Sequence, residues 1–474
     1  MSDCCAPQNR KRYDLAVVGA GSAGFSAAIT AAEQGANVAL IGHGTIGGTC
    51  VNVGCIPSKT MIRAAEALHG SRAASRFPGI AGEAHVSGWS ELISAKDDLV
   101  TTLRQKKYID LLPEYNSIAY LEGAARLTGS GVDVNGSDIT TDRIIIATGS
   151  SPATPDIPGL VDVPWLTSTT ALELAEQPRS LLIIGGGYSG CELAQMFARS
   201  GTAVTLMTRS RLLPEAEPEI AEALTRYLAD EGVIVRAGLT YSRIERRDGQ
   251  VALTINEHGR AETVTAENVL VATGRRPNTA GLGLVEASVS LASNGGILVD
   301  DRMRTSKDGI YAAGDVTGRD QFVYMAAYGA KLAAFNALNG NRLVYDNAAM
   351  PWVVFTDPQV AGVGLTESEA KSNGIETKAS IVALDQLSRA LAARDTRGLI
   401  KLVADKKTDR LLGAQILAPE GADSIQTMVL AIKFGMTAQE LGATIFPHLT
   451  TVEGLKLAAQ GFSKDVTKLS CCAG

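Results

Sequence analysis

The 474-residue chain holds no uninterrupted apolar run of about 18 residues, the length a membrane-spanning helix needs. It holds no block of basic residues, and its formal net charge is −6, which argues against a nucleic-acid partner. A signal-peptide h-region is missing too: polar residues lead straight into a strand-like stretch, Tyr13 to Val18. The seven cysteines are an odd number, spread as Cys4-Cys5, Cys50/Cys55, Cys191 and Cys471-Cys472. That spacing is no secreted disulfide framework. No second Cys or His pair stands at zinc-ligand distance from Cys50 and Cys55, so a structural zinc site is disfavoured. These absences fit a cytoplasmic protein with a catalytic rather than a structural disulfide.

What the chain has is glycine, 49 residues of it, gathered into turns that read as phosphate-binding loops. Leu15 to Val18 reads as a buried strand, Gly19-Ala20-Gly21-Ser22-Ala23-Gly24 as the turn, and Phe25 to Gln34 as a small-residue helix. Val38 to Ile41 is the next strand. Strand, G-x-G-x-x-G, helix, strand is the mononucleotide-binding unit. The unit recurs: Leu181 to Ile184, then Gly185-Gly186-Gly187-Tyr188-Ser189-Gly190, then a helix Cys191 to Ser200, then Thr202 to Met207. Each copy is followed by a strand ending Ala-Thr-Gly, at 147–149 and 272–274. The length suggests about three domains, and the repeat predicts two nested dinucleotide-binding domains. Two dinucleotides in one chain point to hydride transfer between a nicotinamide and a flavin.

Cys50-Val51-Asn52-Val53-Gly54-Cys55 stands between a glycine-rich stretch and Ile56-Pro57-Ser58-Lys59. Pro57 suits the first turn of a helix, where its missing N–H would have no partner. The helix dipole and Lys59 both favour a thiolate on the cysteine at the helix start. Such a pair can alternate between disulfide and dithiol. Beyond about residue 347, strand-like stretches (Leu399 to Val403, Leu411 to Leu417) alternate with helical ones (Ala422 to Phe434, Ala438 to Leu441). This predicts an α+β domain with no nucleotide loop, suited to assembly and substrate.

Three motifs in this order resemble the flavoprotein disulfide reductases, the superfamily of glutathione reductase and lipoamide dehydrogenase. They are Gly-Gly-Thr-Cys-Val-Asn-Val-Gly-Cys-Ile-Pro-Ser-Lys at 47–59, Ala-Thr-Gly-Arg-Arg-Pro-Asn at 272–278 and Ala-Ala-Gly-Asp at 312–315. Within the superfamily the chain is most similar to the mercuric reductases. The similarity lies in Phe-Pro-His-Leu-Thr-Thr-Val-Glu-Gly-Leu-Lys-Leu-Ala-Ala-Gln at 446–460 and in the ending Lys-Asp-Val-Thr-Lys-Leu-Ser-Cys-Cys-Ala-Gly. Hg(II) is soft and prefers thiolates. Adjacent cysteines on a tail can take it from solution and hand it on by thiolate exchange.

The resemblance implies an α/β fold with two nested Rossmann-like domains and a C-terminal α+β dimerisation domain. The FAD-binding domain would be discontinuous, 12–155 and 276–345, and would carry the redox disulfide. The NADPH-binding domain would be 156–275, and the interface domain 346–474 with its Cys-Cys tail. Gly19, Gly21 and Gly24 would receive the FAD pyrophosphate. Gly48, Thr49, Lys59, Ala124, Thr148, Gly149, Arg275, Asp315 and Val323 would line the rest of the flavin site, with Lys59 and Glu192 paired near the reactive ring. Gly185, Gly187 and Gly190 would hold NADPH, and Tyr188 resembles a tyrosine that gates the nicotinamide pocket. After Met207 the chain reads Thr208-Arg209-Ser210-Arg211, neutral and then basic, so Arg209 and Arg211 suit a 2′-phosphate and predict NADPH over NADH. Cys55 would contact the flavin, Cys50 would be the exchanging thiol, and Cys471 and Cys472 of the other subunit of a homodimer would deliver Hg(II) to both.

The chain departs from the pattern in four places. Gly42 stands where the first unit's second strand should end in an acid for the adenosine ribose. Trp165 and His448 stand where mercuric reductases usually carry tyrosines. The N-terminal metal-binding domain frequent in that family is expected to be absent, and Cys4-Cys5 is read as part of a tail without function. His448 and Glu453 keep the spacing of the His-Glu dyad of small-disulfide reductases, where the histidine acts as a base toward the first cysteine. An NADPH-dependent reductase of a small disulfide is therefore the alternative. A non-catalytic thiol protein that sequesters metal is the third reading.

Overall fold

The computed structural model describes residues 12–129 and 131–469, which fall into two compact units. The first takes the described residues of Met1–Ser58, Glu91–Ala153 and Gly274–Asp346. Its centre is a parallel five-stranded sheet in the order Ile310–Ala312, Ile144–Ile146, Leu15–Val18, Val38–Gly42, Ile118–Glu122. The strands from Leu15, Val38, Ile144 and Ile310 are buried along their whole length, as parallel strands covered on both faces must be. Helix α1 (Ser22–Ala32) follows the first strand and buries a row of alanines. Two helical segments come next: α2 (Gly48–Asn52) and α3 (Cys55–Arg72).

The second unit takes Lys59–Ser90, Thr154–Thr273 and the described part of Asn347–Gly474. Its parallel sheet runs Ile234–Arg236, Ala203–Met207, Ser180–Ile184, Asn268–Val271, Trp165–Leu166. Helix α4 (Tyr188–Ser200) follows the central strand. The C-terminal region is a five-stranded antiparallel sheet, Pro351–Val354, Gln359–Gly364, Leu411–Ala418, Leu399–Asp405, Thr377–Ala383. Ile425, Met428, Leu441, Leu455 and Ala458, from three helices, pack on Leu402, Ala414 and Ile416 of that sheet.

The element types follow the sequence pattern, and the two loop helices begin earlier than the pattern suggests. α1 starts at Ser22 rather than Phe25, and α4 at Tyr188 rather than Cys191. The third glycine of each loop is thus inside the first helical turn. A Cβ on Gly24 would sit 1.7 Å from the Gly19 carbonyl oxygen, so the turn can close on the strand only over glycine.

The C-terminal region does not separate as a unit of its own. Lys401, on the Leu399–Asp405 strand, is almost fully buried, and its Nζ lies 3.1 Å from Glu217, 3.0 Å from Glu219 and 2.6 Å from Glu367. Burial alone pulls the lysine pKa down. The bonds to Glu367, Glu219 and Glu217 outweigh it and push the value up to about 12. Lys401 must keep carboxylate partners, because left alone it would be a buried, unpaired charge, as would Glu217; Glu219 and Glu367 reach the surface. No helix of the described residues is long and apolar enough to cross a membrane.

Candidate active site

In the first unit the loop after the Leu15–Val18 strand makes a bare cradle. Gly19 turns at φ +120°, and a Cβ there would meet the Ala147 carbonyl at 2.2 Å. Gly21 precedes α1 with extended backbone and no side-chain cap, which leaves the first helical N–H groups facing outward. Gly48, at φ +69°, lies against it, and a Cβ there would be 2.6 Å from the Gly21 Cα. Backbone N–H groups at a helix start, with no side chain between them and a ligand, suit a pyrophosphate.

Cys50 lies within α2, and Cys55 is the first residue of α3; both are half-buried. Asn52 fixes the connection by donating to the Ile46 and Gly48 carbonyls at 2.9 and 2.8 Å, while Arg104 donates to its side-chain oxygen at 3.1 Å. Cys55 therefore meets the positive end of an 18-residue helix. Tyr108, packed edge-on against Phe25, has its hydroxyl pushed up in pKa by burial and by charge on Cys50 and Cys55, against a bond from Ser22.

Ser150 is a site residue that sequence reasoning passed over. Its hydroxyl donates to Asp315 Oδ2 at 2.6 Å and accepts from Arg275 Nε at 2.7 Å, while Arg275 Nη2 donates to its carbonyl at 2.6 Å. Arg275 and Asp315 themselves are 3.8 Å apart. Burial draws the Arg275 pKa down, and Asp315 and then Cys55 draw it up. The clue was its place, directly after Ala-Thr-Gly. Thr148 donates to the Asn278 carbonyl at 2.7 Å and Asn278 returns a bond of 3.0 Å to the Thr148 carbonyl, so the first Ala-Thr-Gly is tied to the end of the 272–278 stretch beside Gly149. Ala124 donates its N–H to Asn135, and Val323 opens the helix Val323–Asn339. Gly42 has a steric reason to be glycine: a Cβ there would lie 2.6 Å from the Tyr120 hydroxyl and 2.8 Å from the Ala20 Cβ.

In the second unit the glycine loop repeats the first. Gly185 turns at φ +123°, and a Cβ on Gly190 would be 1.9 Å from the Gly185 carbonyl oxygen. Tyr188 opens α4, and its ring stacks on Trp352 at 5.6 Å. Glu192, one turn on and 6% exposed, pairs with Lys59 of α3 at 2.7 Å. Its other oxygen accepts the Phe355 N–H at 2.9 Å. Cys191 beside it is fully buried, and burial pushes its thiol pKa far up, so it is inert packing.

The two arginines after Met207 differ. Arg209 is exposed. Arg211 turns back into its own loop, Nη2 donating to the Pro214 and Ala216 carbonyls at 2.8 and 2.6 Å, with Nη1 buried and unpartnered. As a phosphate ligand Arg211 is thus already largely committed, a division the sequence could not reveal.

His448 Nδ1 lies 3.1 and 3.2 Å from the two Glu453 oxygens, so the dyad read from their spacing is formed, with Nε2 turned away from the carboxylate. Trp165 packs against the core of the second nucleotide-binding region, with Ile157, Leu182 and Val269. Cys4, Cys5, Cys471 and Cys472 lie outside the described residues.

Two glycine cradles, with a cysteine pair at a helix start, define a dinucleotide-dependent thiol oxidoreductase. The family described as pyridine nucleotide-disulphide oxidoreductase matches residues 13–334, and its dimerisation domain matches 350–459. Curated relatives named mercuric reductase include one from Staphylococcus aureus, 46% identical over 98% of this chain and 84% of that protein. Another, from Streptomyces lividans, is 46% identical over 98% of both. The HOCl-induced flavoprotein disulfide reductase RclA of Escherichia coli is similar in structure, with TM-score 0.84 and 31% identity over 94% of this chain and 99% of that one. The chain belongs to the pyridine nucleotide-disulphide oxidoreductase family, a mixed α/β family that uses FAD and a nicotinamide dinucleotide and carries a C-terminal dimerisation domain.

Proposed function

We propose that the chain is an NADPH-dependent mercury(II) reductase that works as a cytoplasmic homodimer. The observation that carries this reading is the near full-length identity of about 46% to relatives named mercuric reductase. The Cys50–Cys55 pair supplies the chemistry, with Lys59 following Cys55 on the same helix. The loops at Gly19–Gly24 and Gly185–Gly190 fit two dinucleotides, because Gly19, Gly24, Gly185 and Gly190 let backbone close where a Cβ would collide with it, and leave a helix start uncovered. When bound, the nicotinamide supplies a hydride and the flavin relays the electron pair to the cysteine site.

The chain's own part is to hold the metal and set charge. Cys50 and Cys55 bind Hg(II) as thiolates, favoured by the α3 dipole and by Lys59. Glu192 holds Lys59 at 2.7 Å and so keeps that charge near the helix start. Hg(II) takes two electrons and leaves as Hg(0), and both sulfurs remain as thiolates. Asp315, held by Ser150, and Arg275 are assigned to the polar side of the flavin cradle. Cys471 and Cys472 of the partner subunit bring the ion in by thiolate exchange. Arg209 is assigned to the 2′-phosphate of NADPH, with Arg211 bracing its loop.

A reductase of small disulfides is the second reading, favoured by the His448–Glu453 pair. The relatives' names weigh against it. The deciding experiment follows NADPH oxidation with HgCl₂ in excess small thiol while mercury vapour is trapped. Stoichiometric Hg(0) supports the metal reductase. Inhibition by mercury, with fast turnover of a disulfide, sinks it and makes His448 a catalytic base. A Cys471→Ala/Cys472→Ala double variant should lose turnover of thiol-bound Hg(II). Full activity of a monomer at high dilution would refute the shared site.

A further inference from the structure

The strands Ile144–Ile146 and Ile310–Ala312 lie side by side and parallel in the first unit, so the chain leaves both at the same edge of the sheet. Ser150 follows the first of them and Asp315 the second. The turn before Asp315 is tight: Gly314 sits at φ +76°, and a Cβ there would be 3.2 Å from the Ala23 Cβ of α1. Asp315 therefore stands beside the Gly19–Gly24 cradle, at the carboxyl ends of parallel strands, where such sheets bind dinucleotides. Arg275 reaches the same point from the short antiparallel pair formed by Ser150–Pro152 and Arg275–Pro277.

Arg275 and Asp315 carry opposite charges and yet do not close on each other. Arg275 Nε lies 3.8 Å from Asp315 Oδ2, against about 2.7–2.9 Å for a direct charge-assisted bond. The buried Ser150 hydroxyl stands in between. It accepts from Arg275 Nε at 2.7 Å and donates to the same Oδ2 at 2.6 Å, while the Ser150 carbonyl takes Arg275 Nη2 at 2.6 Å. A hydroxyl suits this place because it donates and accepts at once. These bonds leave Asp315 Oδ1 and Arg275 Nη1 unused, on side chains 21% and 25% exposed. A carboxylate oxygen accepts from sugar-like hydroxyls, and a guanidinium nitrogen donates to phosphate. A flavin dinucleotide offers both groups. Without the hydroxyl the two charges would close into a direct pair, each using up the other.

We propose that Ser150 is a positioning residue that holds Arg275 and Asp315 apart and so keeps both open to the FAD of the Gly19–Gly24 cradle. This rests on the assignment of that cradle to FAD, and not on the substrate.

The test is FAD release from the full-length holoprotein, followed by the rise in flavin fluorescence after dilution. Ser150→Ala keeps the carbonyl that takes Nη2 and removes the hydroxyl. Its release should be about tenfold faster, the loss of roughly one hydrogen bond to a charged group. Ser150→Thr keeps a hydroxyl and should release as wild type does. Asp315→Asn takes away the charge on which Arg275 would close. It should speed release by itself, and Ser150→Ala should then add little. Unchanged release in Ser150→Ala overturns the proposal. So does an equal acceleration by Ser150→Ala in the Asp315→Asn background, which would make the serine simple packing. If the alanine variant does not fold, Ser150→Gly also lacks the hydroxyl, and faster or unchanged release from it decides in the same way. A wild-type protein that holds no FAD would overturn both this inference and the assignment of the cradle. Hg(0) is read in none of these measurements, so the substrate stands or falls separately.

Discussion

At Gly19 and Gly185 the backbone turns to φ +120° and +123°; at Gly24 and Gly190 a Cβ would strike a carbonyl oxygen at 1.7 and 1.9 Å. Both loops lead into helices entered from extended glycines with ψ −168° and −169°. The chain behind them differs. α1 buries alanine, glycine and phenylalanine, and its strand neighbour ends in Gly42. α4 buries Glu192, Gln195, Arg199 and Ser200, and its neighbour runs on to Thr208 and two arginines. Loop geometry therefore says only that a dinucleotide binds. What the helix buries and what ends the next strand separate the two sites.

The equivalence of the loops is broken most sharply at their third glycines. Gly24→Ala forces backbone apart where the fold needs contact, at a cost of about 3 kcal/mol or more. The purified variant should be pale, with little flavin absorbance per protein. Gly190→Ala should stay yellow and lose NADPH affinity about 100-fold, measured by titration of the oxidised protein. A fully flavinated Gly24→Ala protein, or unchanged NADPH binding in Gly190→Ala, would deny the shared geometry its role.

The polar face of α4 comes next. Glu192→Gln takes the carboxylate from Lys59 while leaving an acceptor for the Phe355 N–H. Breaking a buried pair costs about 3–5 kcal/mol, but Lys59 is a third exposed, so about 1–2 kcal/mol is expected after screening. The urea midpoint of the second unit's transition reads this. Serine at Ala27 or Ala28 of α1 breaks no ion pair, since α1 buries no charged side chain.

Most of this is legible in the chain itself. Both glycine loops, the Cys50–Cys55 pair and the His448–Glu453 contact follow from spacing, because each depends on residues within one turn or one helix start. Ser150, Phe355 and the inward turn of Arg211 do not. Each is defined by a partner far along the chain or by a side-chain rotamer: Ser150 by Arg275 and Asp315, Phe355 by Glu192 and Lys59. In the sequence Gly42 reads as a missing acid; packing against Tyr120 and Ala20 explains why a side chain is excluded there. The C-terminal region separates less than its pattern suggests, since a sequence pattern gives no sight of Lys401 and its three glutamates.

The arginines after Met207 sharpen the comparison more gently. Arg209→Ala should lower kcat/KM for NADPH about tenfold, roughly one phosphate contact, and leave NADH use unchanged. Arg211→Ala removes two bonds to loop carbonyls, so it should cost about 1–2 kcal/mol of stability and affect both nucleotides equally. A kcat/KM for NADH above that for NADPH in the wild type would sink the assignment of this strand end.

The smallest effect concerns the ion cluster that only α4 has behind it. His69 Nδ1 lies 4.0 Å from Glu231, which also holds Arg199. Burial, and then the charge of Arg199, lower the His69 pKa below 6.5, while Glu231 and Asp357 pull the other way. A histidine with a depressed folded pKa stays neutral in the native protein while the unfolded chain takes up a proton. Between the folded pKa and about 6.5 the unfolded state binds more protons, so stability rises with pH there and is lost as pH falls from 6.5. The second unit's urea midpoint should therefore drop on acidification, and His69→Gln should drop less, with equal stability at neutral pH and above. Parallel curves for the two proteins would show that Glu231 already neutralises the site, and that the charges behind α4 act on its geometry alone.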